Sequence, residues 1–463
     1  MTLIKSISGI RGTIGGQPGN SLTPVDVVKY TAAFATILKN KHNQTCKVVL
    51  GRDARISGLM LENLIGATLI SMGIDVINLG LTTTPTTEMA VVHHKAQGGI
   101  ILTASHNPKQ WNALKLLNEK GEFISAADGE WLLNIAEKGK FDFTDVNSLG
   151  KIQKDNDALQ RHITAIINLP MVDAALIGSK KFKVVVDAIN SSGAIAVPQL
   201  LSALGVEALV INGETNGHFA HNPEPLPEHL HEIAQKVVKE SAHAGIVVDP
   251  DVDRLAFVCE NGEMFGEEYT LVAVANHMLQ YEVGNTVSNL SSTRALRDVT
   301  EKAGGKYFAA AVGEVNVVSM MKAQNAIIGG EGNGGIIVPQ LHYGRDAMVG
   351  IALFLTHLAK TGKSCSMLRS AFPDYHISKN KIELTEDIDV DAVLTYIADR
   401  YSQYQVNQID GVKIDFEKEW IHLRKSNTEP IIRIYAESSS MTTANNLAQK
   451  IITDIKEFIQ QTA

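Results

Sequence analysis

Three aspartates at alternate positions follow an apolar run near the middle of the chain. Asp249, Asp251 and Asp253 come directly after residues 243–248, whose composition predicts a strand. In an extended segment alternate side chains share a face, so these carboxylates repel one another unless a cation lies between them. Ligands that are all oxygen favour Mg²⁺ over zinc or copper. A solvated acidic turn and a calcium loop are the alternatives, but the glycine and distal glutamate of an EF-hand are missing.

Ser105 lies in the segment TASHNP, residues 103–108, after another apolar run. By itself it is typical of a loop serine that caps the turn before Pro108. The adjacent His106 does not face it properly for general-base work, and no G-x-S-x-G elbow is present. A serine that carries a phosphate needs cations around it instead, and Mg²⁺ at the aspartates together with Arg254 would supply them.

Basic residues concentrate in three further segments that are predicted to be loops. Arg11 stands between glycines, and the segment GRDARISG (51–58) contains two more arginines. The segment RKSNTEP (424–430), with Arg433 beyond it, offers arginine, hydroxyls and backbone N–H groups in one turn, which favours an anion. A polar hairpin between two strands is the alternative for that last segment.

The segment GGEGNGG (329–335) is so rich in glycine that its backbone can approach a ligand closely. Within it, Glu331 and Asn333 suit sugar hydroxyls. A nucleotide-type loop or a flexible turn is the alternative, but neither a Walker lysine nor a G-x-G-x-x-G before a helix is present. Lys115, on a predicted strand, and His342 are either ordinary structural residues or proton carriers.

The composition is that of an ordinary globular protein. The 463 residues are 44% hydrophobic and 20% charged, so sizeable cores can form. The net charge of −8 argues against a nucleic-acid partner, although a small phosphorylated substrate needs only a local basic pocket. Cys46, Cys259 and Cys365 are widely spaced, which predicts neither a disulfide framework nor a zinc knuckle. Without a long apolar run for a membrane, we expect a cytoplasmic protein.

Short β-branched runs alternate with longer helical patterns along most of the chain. The predicted strands of this part cover residues 48–50, 74–79, 184–186, 208–211, 286–290 and 307–311. Their alternation with helices predicts βαβ units and mixed, largely parallel sheets, so the fold class is α/β. Near the C-terminal end, strands at 411–416, 420–423 and 430–435 and a helix at 442–460 predict a smaller α+β domain.

Three times, an apolar strand leads into a polar or glycine-rich loop. Residues 97–101 lead to Ser105, residues 243–248 to the aspartates, and residues 324–328 to Glu331. Ligands bind at the carboxyl ends of strands in α/β sheets, so the three loops are predicted to face one cleft. We therefore predict four domains, with the bounds 1–152, 153–257, 258–372 and 373–463.

Together these segments resemble the α-D-phosphohexomutase family, which comprises phosphoglucomutase, phosphomannomutase, phosphoglucosamine mutase and their relatives. Residues 103–108 match the family's phosphoserine loop, and residues 249–254 match its metal loop. Residues 330–335 resemble its sugar-recognition loop, and residues 424–430 resemble its C-terminal phosphate loop. Each motif alone is modest, whereas four in family order over essentially the whole chain are highly specific.

The resemblance implies three related α/β domains and a smaller α+β domain around a central cleft. It also implies that Ser105 is phosphorylated, with Mg²⁺ between that phosphate and the aspartates. The serine phosphate passes to a hexose phosphate, and the resulting bisphosphorylated sugar returns its other phosphate to Ser105. A bisphosphorylated hexose is accordingly the expected activator. The expected partner is a small hexose phosphate, with neither nucleic acid nor membrane, and the expected assembly is a monomer or homodimer.

Residue roles follow from the same resemblance. The residues implied to hold the metal are Ser105, Asp249, Asp251 and Asp253. The residues implied in catalysis are Ser105, Lys115, His106, Arg11, Arg254 and His342. Among these, Lys115 is the acid/base partner and the two histidines assist it. The residues implied to bind the sugar or its non-reacting phosphate are Glu331, Asn333, Arg424, Ser426, Asn427, Thr428 and Arg433.

Two positions depart from the family pattern. Asn333 stands where the family commonly has serine, and Asn427 stands where its phosphate loop usually has glycine. Asparagine still offers a donor and an acceptor, and it tolerates a left-handed backbone. Asn333 and its glycines are similar to archaeal-type phosphoglucosamine mutases, so we expect conversion of glucosamine 6-phosphate to glucosamine 1-phosphate. Phosphoglucomutase or phosphomannomutase activity is the alternative, followed by a phosphoserine-intermediate sugar phosphatase and a non-catalytic sugar-phosphate sensor.

Overall fold

The computed structural model describes residues 2–6, 9–42, 46–384, 388–425 and 431–462. The chain divides into two units, the first formed by Met1–His277 with Asn333–Leu368 and the second by Met278–Gly332 with Arg369–Ala463. Within the described part, no helix combines the length and the apolar character that a membrane crossing requires.

The first sheet lies at the start of unit 1. Its strands are β1 (Ile4–Ser6), β2 (Gly9–Thr13), β3 (Lys47–Arg52), β4 (Asp75–Leu81), β5 (Gly98–Leu102), β6 (Trp111–Leu117) and β7 (Ile152–Lys154). They run in the order β1-β2-β6-β5-β3-β4-β7, with β5, β3, β4 and β7 parallel. Its helices are α1 (Pro24–Lys41), α2 (Gly58–Ser71), α3 (Thr84–His93) and α4 (Ala126–Lys138). Helix α1 begins at a capping box of Thr23 and Asp26, with Pro24 in its first turn.

The second sheet of unit 1 carries the loop that contains Asp249, Asp251 and Asp253, which we call the aspartate loop. Its strands are β8 (Lys183–Asp187), β9 (Glu207–Ile211), β10 (Ala244–Val248) and β11 (Leu255–Cys259). The order is β11-β10-β8-β9, and only β11 is antiparallel to its neighbour. The accompanying helices are α5 (Ala158–Ile167), α6 (Ala174–Ser179), α7 (Gly193–Ala203), α8 (His231–Lys239) and α9 (Glu267–Tyr281). Every residue of β10 and β11 is buried, as expected for a sheet covered on both faces.

A third set of strands begins in unit 2. Strands β12 (Asn285–Asn289), β13 (Tyr307–Ala310) and β14 (Ala326–Glu331) are parallel in the order β13-β12-β14, with helices α10 (Ala295–Lys302) and α11 (Glu314–Ala323). The chain then returns to unit 1 with β15 (Gly335–Ile337), α12 (Ala347–Thr361) and α13 (Cys365–Arg369). Helix α12 is part of the core of that unit, where Phe354 stacks on Phe257 with ring centroids 3.7 Å apart.

The C-terminal part of unit 2 is a five-stranded antiparallel sheet with two helices. Its elements are β16 (His376–Glu383), α14 (Val390–Arg400), β17 (Gln405–Asn407), β18 (Val412–Asp415), β19 (Trp420–Lys425), β20 (Ile431–Ser438) and α15 (Met441–Thr462). The strand order is β16-β20-β19-β18-β17. The predicted α/β class, the strand and helix alternation and the smaller α+β C-terminal domain are confirmed. The four domain bounds stay a prediction.

Candidate active site

Ser105 lies just beyond the end of β5, in a turn with an uncommon backbone conformation. Its φ is +45°, a left-handed value that costs a residue other than glycine about 1–3 kcal/mol. The Ser105 hydroxyl donates to Asp249 Oδ2 at 2.7 Å. The Ser105 N–H donates to Thr103 Oγ1 at 2.9 Å, and that hydroxyl donates to Asp53 Oδ2 at 2.7 Å. The loop thus directs the Ser105 hydroxyl at the aspartates. Ser105 is therefore not an ordinary surface serine that caps a turn.

Arg55 holds the serine loop through the loop's own backbone. Its side chain is 1% exposed, and its Nε donates to Asp53 Oδ2 at 3.1 Å. The guanidinium donates to the carbonyl oxygens of Ser105, Asn107, Pro108 and Trp111. Arg55 belongs to one of the basic segments noted in the sequence, and its hydrogen bonds fix the backbone of the serine loop, like a clasp.

We expect Arg55→Lys to loosen that loop, because lysine lacks the planar fork that reaches several carbonyl groups at once. Each buried carbonyl left without a donor costs about 1–3 kcal/mol, so Tm falls. Misplacement of Ser105 lowers kcat by about 10- to 100-fold. Thermal unfolding and steady-state kinetics measure both effects. Arg52→Lys is the matched control, since Arg52 pairs with Glu62 and is 20% exposed; equal behaviour of the two variants would contradict the clasp.

The aspartate loop is a tight turn. The prediction that Asp249, Asp251 and Asp253 lie in an extended segment is therefore wrong. The Val252 N–H donates to Asp249 O at 3.1 Å, and Val252 has a φ of +63°, which is rare for a β-branched residue. Asp249 Oδ1 accepts the N–H groups of Asp253 and Arg254, each at 3.1 Å. The carboxylates therefore converge because the chain reverses after β10, and not because they alternate along a strand.

The three carboxylates are fully buried, and one oxygen of each lies within 4.8 Å of the others. Burial, together with the charges of Asp251 and Asp253, raises the pKa of Asp249 well above its ordinary value. Asp251 shifts the opposite way. Although burial opposes its ionisation, the ammonium of Lys115 lowers the pKa of Asp251. The loop therefore concentrates negative charge that needs cations beside it.

Two cationic side chains meet that charge. Lys115 Nζ, reaching from β6, lies 2.7 Å from Asp251 Oδ2 and 3.4 Å from Asp253 Oδ2. Arg345 Nη2 donates to Asp253 Oδ2 at 2.8 Å, and Thr84 Oγ1, in the first turn of α3, donates to Asp251 Oδ2 at 2.6 Å. Burial by itself would lower the pKa of Lys115, but the charges of Asp251 and Asp253 raise it by more, so the pKa of Lys115 lies above its ordinary value. The amine therefore holds a proton inside the site.

The carboxylate cluster has the donor set of a hard divalent cation. Asp251 Oδ1 and Asp253 Oδ1 are buried and have no hydrogen-bond partner among the described residues. A buried charged oxygen is costly unless a cation binds it. Together with the oxygen of Ser105, the ligands are all oxygen, which Mg²⁺ prefers. The residues predicted to hold the metal are thus brought together in one place.

Further predicted catalytic residues flank this cluster. Burial and the charge of Arg254 lower the pKa of His106 to about 2, so its ring is neutral and is no acid near neutral pH. Arg254 is 8% exposed, with Nη1 3.5 Å from Glu224 Oε1. Arg11 stands opposite Ala113 across β2 and β6, which puts it on the same face of the sheet as Lys115.

His342 lies in a cluster of its own, beside Glu88 and Asp346. Its Nδ1 is 3.2 Å from Glu88 Oε2, and its Nε2 is 3.3 Å from Asp346 Oδ2. Burial favours the neutral ring, but hydrogen bonds to the two carboxylates raise the pKa of His342 to about 10. A carboxylate thus lies beside each ring nitrogen of His342, and its assistance in proton transfer stays a prediction.

The predicted substrate residues are divided between the two units. Asn333 belongs to unit 1, where its Oδ1 accepts the N–H of Gly335 at 3.2 Å. Glu331 belongs to unit 2 and is 4% exposed; its Oε1 accepts from Asn289 Nδ2 at 3.0 Å and from the Gly313 N–H at 3.2 Å. Ser426, Asn427 and Thr428 lie outside the described residues.

A row of basic residues crosses three neighbouring strands in unit 2. Arg424 of β19 is directly opposite Arg433 of β20, and Arg433 is directly opposite Lys381 of β16. Like charges directly opposite one another destabilise a sheet, so this row favours a bound anion. Asp410 offsets part of the charge, since its Oδ2 lies 3.6 Å from Arg424 Nη1.

Sequence reasoning missed two residues that contact the aspartates. Thr84 stands in a run of threonines before Pro85, a pattern that is typical of a helix N-terminus. Because the run follows β4, it could have indicated a helix that begins at the carboxyl edge of the sheet. Arg345 had no local signal, because it reaches Asp253 across 92 positions of sequence.

Four protein-family domains match the chain in order. The α/β/α domains I, II and III of phosphoglucomutase/phosphomannomutase match residues 3–143, 160–262 and 266–375, and the C-terminal domain of the same proteins matches residues 381–453.

Individual proteins resemble the chain over nearly its full length. A phosphoglucomutase/phosphomannomutase of Thermococcus kodakarensis is 34% identical over 435 residues, which cover 93% of this chain and 94% of the relative. A phosphoglucosamine/phosphogalactosamine mutase of Sulfurisphaera tokodaii is 31% identical over 450 residues, or 96% and 97% of the two chains. A phosphoglucomutase/phosphomannomutase family protein of Burkholderia thailandensis shares the fold, with a TM-score of 0.84 over 98% of each chain at 22% identity.

Proposed function

The chain belongs to the phosphoglucomutase/phosphomannomutase family and is a phosphohexomutase, and on that premise we propose that it interconverts glucosamine 6-phosphate and glucosamine 1-phosphate. The proposed carrier of the transferred phosphate is Ser105. The observation that supports this assignment is the hydrogen bond from the Ser105 hydroxyl to Asp249, within a buried group of three aspartates. A plain loop serine has no need of such a partner.

The proposed reaction balances as two phosphoryl transfers. In the first, the bond between phosphorus and Ser105 Oγ breaks, and phosphorus bonds to the free hydroxyl oxygen of the hexose phosphate. One proton moves from that hydroxyl to Ser105 Oγ, and Lys115, which is protonated among the aspartates, is the proposed carrier. The bisphosphorylated sugar then turns over, and the same transfer in reverse returns its other phosphoryl group to Ser105.

A divalent cation belongs to the same proposal. Asp249, Asp251, Asp253 and an oxygen on Ser105 would hold Mg²⁺, which would neutralise charge on the transferring phosphoryl group. His106, which has a neutral ring and is the next residue after Ser105, is proposed to assist the transfer, and Arg254 and Arg11 are proposed to supply positive charge for phosphate oxygens. A bisphosphorylated hexose restores the phosphoserine whenever the intermediate escapes, and so it is the proposed activator.

The non-reacting phosphate of the substrate needs a site of its own, which a phosphatase would not. The opposed Arg424 and Arg433 support such a site, since an anion relieves their repulsion. Ser426, Asn427 and Thr428 follow β19 in the chain and are proposed to complete it. Glu331 and Asn333 are proposed to bind sugar hydroxyls. A cytoplasmic location is proposed as well, because three buried cysteines suit a reducing compartment.

The choice of sugar rests on Asn333 and its glycines, and on the similarity to the Sulfurisphaera protein. The decisive measurement compares kcat/KM for the 6-phosphates of glucosamine, glucose and mannose with Mg²⁺ and a bisphosphorylated hexose present. We expect glucosamine 6-phosphate to exceed the other two by about 10-fold or more, because a buried polar group left unpaired by the wrong sugar is costly. The weakest turnover on glucosamine 6-phosphate would contradict the proposal and favour phosphoglucomutase or phosphomannomutase activity.

The same assay separates a mutase from a phosphatase. Inorganic phosphate is quantified beside the isomerised product. A mutase produces hexose 1-phosphate with no stoichiometric release of phosphate, whereas release without isomerised product would show that the phosphoserine passes its phosphate to water.

A further inference from the structure

A second cluster of metal-ligating side chains lies in unit 1, and it shares no side chain with the group of three aspartates. It consists of His162 of α5, His342, and Asp346 at the start of α12. One ligand atom of each lies within 4.8 Å of the others. His162 is 1% exposed and Asp346 is fully buried. We propose that these three side chains bind a divalent transition metal of the zinc class.

The spacing of the three side chains suits a single ion. His162 Nε2 lies 2.8 Å from Asp346 Oδ2, and His342 Nε2 lies 3.3 Å from the same oxygen. Two ligands at about 2.0–2.1 Å from a tetrahedral zinc are roughly 3.3 Å apart. One edge of the site therefore has the required length already, and the other needs to open by a few tenths of an ångström.

A side chain of α3 lies beside the second ring nitrogen of each histidine. His162 Nδ1 is 2.9 Å from Thr86 Oγ1, and His342 Nδ1 is 3.2 Å from Glu88 Oε2. Histidines that bind metal characteristically give their other nitrogen to such a partner, which fixes the ring and its tautomer. Both Nε2 atoms are consequently directed at Asp346.

Asp346 divides its two oxygens between two tasks. Its Oδ1 accepts the N–H groups of Met348 and Val349, at 2.8 and 3.3 Å, and so caps α12. That leaves Oδ2, the oxygen between the two histidines, to bind an ion. Two imidazoles and one carboxylate form a ligand set that suits zinc, cobalt or manganese better than Mg²⁺, which prefers oxygen.

Charge balance also permits a divalent ion here. Asp346 and Glu88 are buried carboxylates in contact with the two histidines. Their two negative charges equal the positive charge of one divalent cation, which binds an imidazole through an unprotonated ring nitrogen.

Packing around the cluster leaves no room for a side chain at position 344, which is a glycine. A Cβ on Gly344 would lie 1.8 Å from Glu88 Oε2, so glycine is what allows this carboxylate to reach His342. The next residue, Arg345, donates to Asp253. An ion on His342 and Asp346 would therefore fix the segment that carries Arg345 to the aspartate loop.

The test is calorimetric titration of the chelator-treated, full-length protein with Zn²⁺ in excess Mg²⁺, which occupies oxygen-only sites. We expect one equivalent of Zn²⁺ to bind, and we expect His162→Gln to weaken that binding by at least about 100-fold. His231→Gln is the matched control, because His231 is an exposed histidine on α8. Zinc affinity in this control equals that of the wild type.

A visible spectrum of the wild-type protein with Co²⁺ tests the site without any variant, so its result does not depend on whether His162→Gln folds. Cobalt in a four-coordinate site with nitrogen ligands absorbs visible light strongly, and a six-coordinate oxygen site absorbs weakly. Strong bands that Zn²⁺ removes support the site. The proposal is overturned by an absence of Zn²⁺ binding, by equal binding in folded His162→Gln, or by a cobalt spectrum of oxygen coordination alone.

Discussion

Ser105→Ala abolishes the incorporation of phosphate into the protein and lowers kcat by at least about 1000-fold, because no other group can carry the phosphoryl group between the two transfers. The variant still folds. It loses one hydrogen bond to Asp249, which changes the free energy of unfolding by about 1 kcal/mol. Mass spectrometry of the intact protein, a coupled mutase assay and thermal unfolding measure the three quantities.

Two further serine variants make this result specific. Ser202→Ala, on the exposed end of α7, keeps both phosphate incorporation and turnover. Ser105→Thr retains a hydroxyl, but the left-handed φ of +45° is unfavourable for a β-branched residue, so turnover falls despite the conserved chemistry. Wild-type turnover in Ser105→Ala would show that the phosphoserine mechanism is wrong.

Lys115→Met has the second large effect, and it acts on stability as well as on turnover. The substitution removes the ammonium that lies 2.7 Å from Asp251, and it leaves buried carboxylates with less positive charge. Removal of one partner from a buried ion pair costs about 3–5 kcal/mol. Loss of the proposed proton carrier lowers kcat by about 10²- to 10⁴-fold. Chemical denaturation and steady-state kinetics measure the two losses.

Added Mg²⁺ separates the structural role of Lys115 from its catalytic role. A cation on the aspartates replaces the lost charge, so millimolar Mg²⁺ restores much of the stability of Lys115→Met and little of its kcat. A double-mutant cycle with Asp251→Asn gives a coupling energy of about 0.5–3 kcal/mol without Mg²⁺. Lys120→Met, at an exposed turn after β6, is the control. Unchanged stability of Lys115→Met without Mg²⁺ would contradict the ion pairing.

Much of the fold and part of the site could be predicted because their signals are local. The β-branched runs that became β3, β8 and β10 alternate with helical patterns, and that alternation alone predicts an α/β fold. The positions of Ser105 and the aspartates, directly after buried strands, placed them at the carboxyl ends of sheets. Their hydrogen bond crosses 144 positions of sequence and agrees with that placement.

The geometry within the loops could not be predicted in the same way. Alternation of Asp249, Asp251 and Asp253 suggested an extended segment, but Val252 turns the chain in a left-handed conformation that no local preference of valine favours. The surroundings impose it: the Val252 carbonyl accepts the N–H of Ala347, and Val252 is fully buried. A local rule fails where tertiary contacts outweigh it.

Local sequence patterns were enough to predict the class of fold, the order of the loops that follow strands, and the residue types able to carry phosphate and a hard cation, because each of these depends on neighbours along the chain. The contacts between these groups could not be predicted in that way. Tertiary packing placed Arg345 on Asp253, directed Arg55 to the backbone of the serine loop, and brought His342 together with His162 and Asp346. Such contacts join segments far apart in sequence, so their partners are fixed by how the strands and helices pack and not by any pattern within one segment.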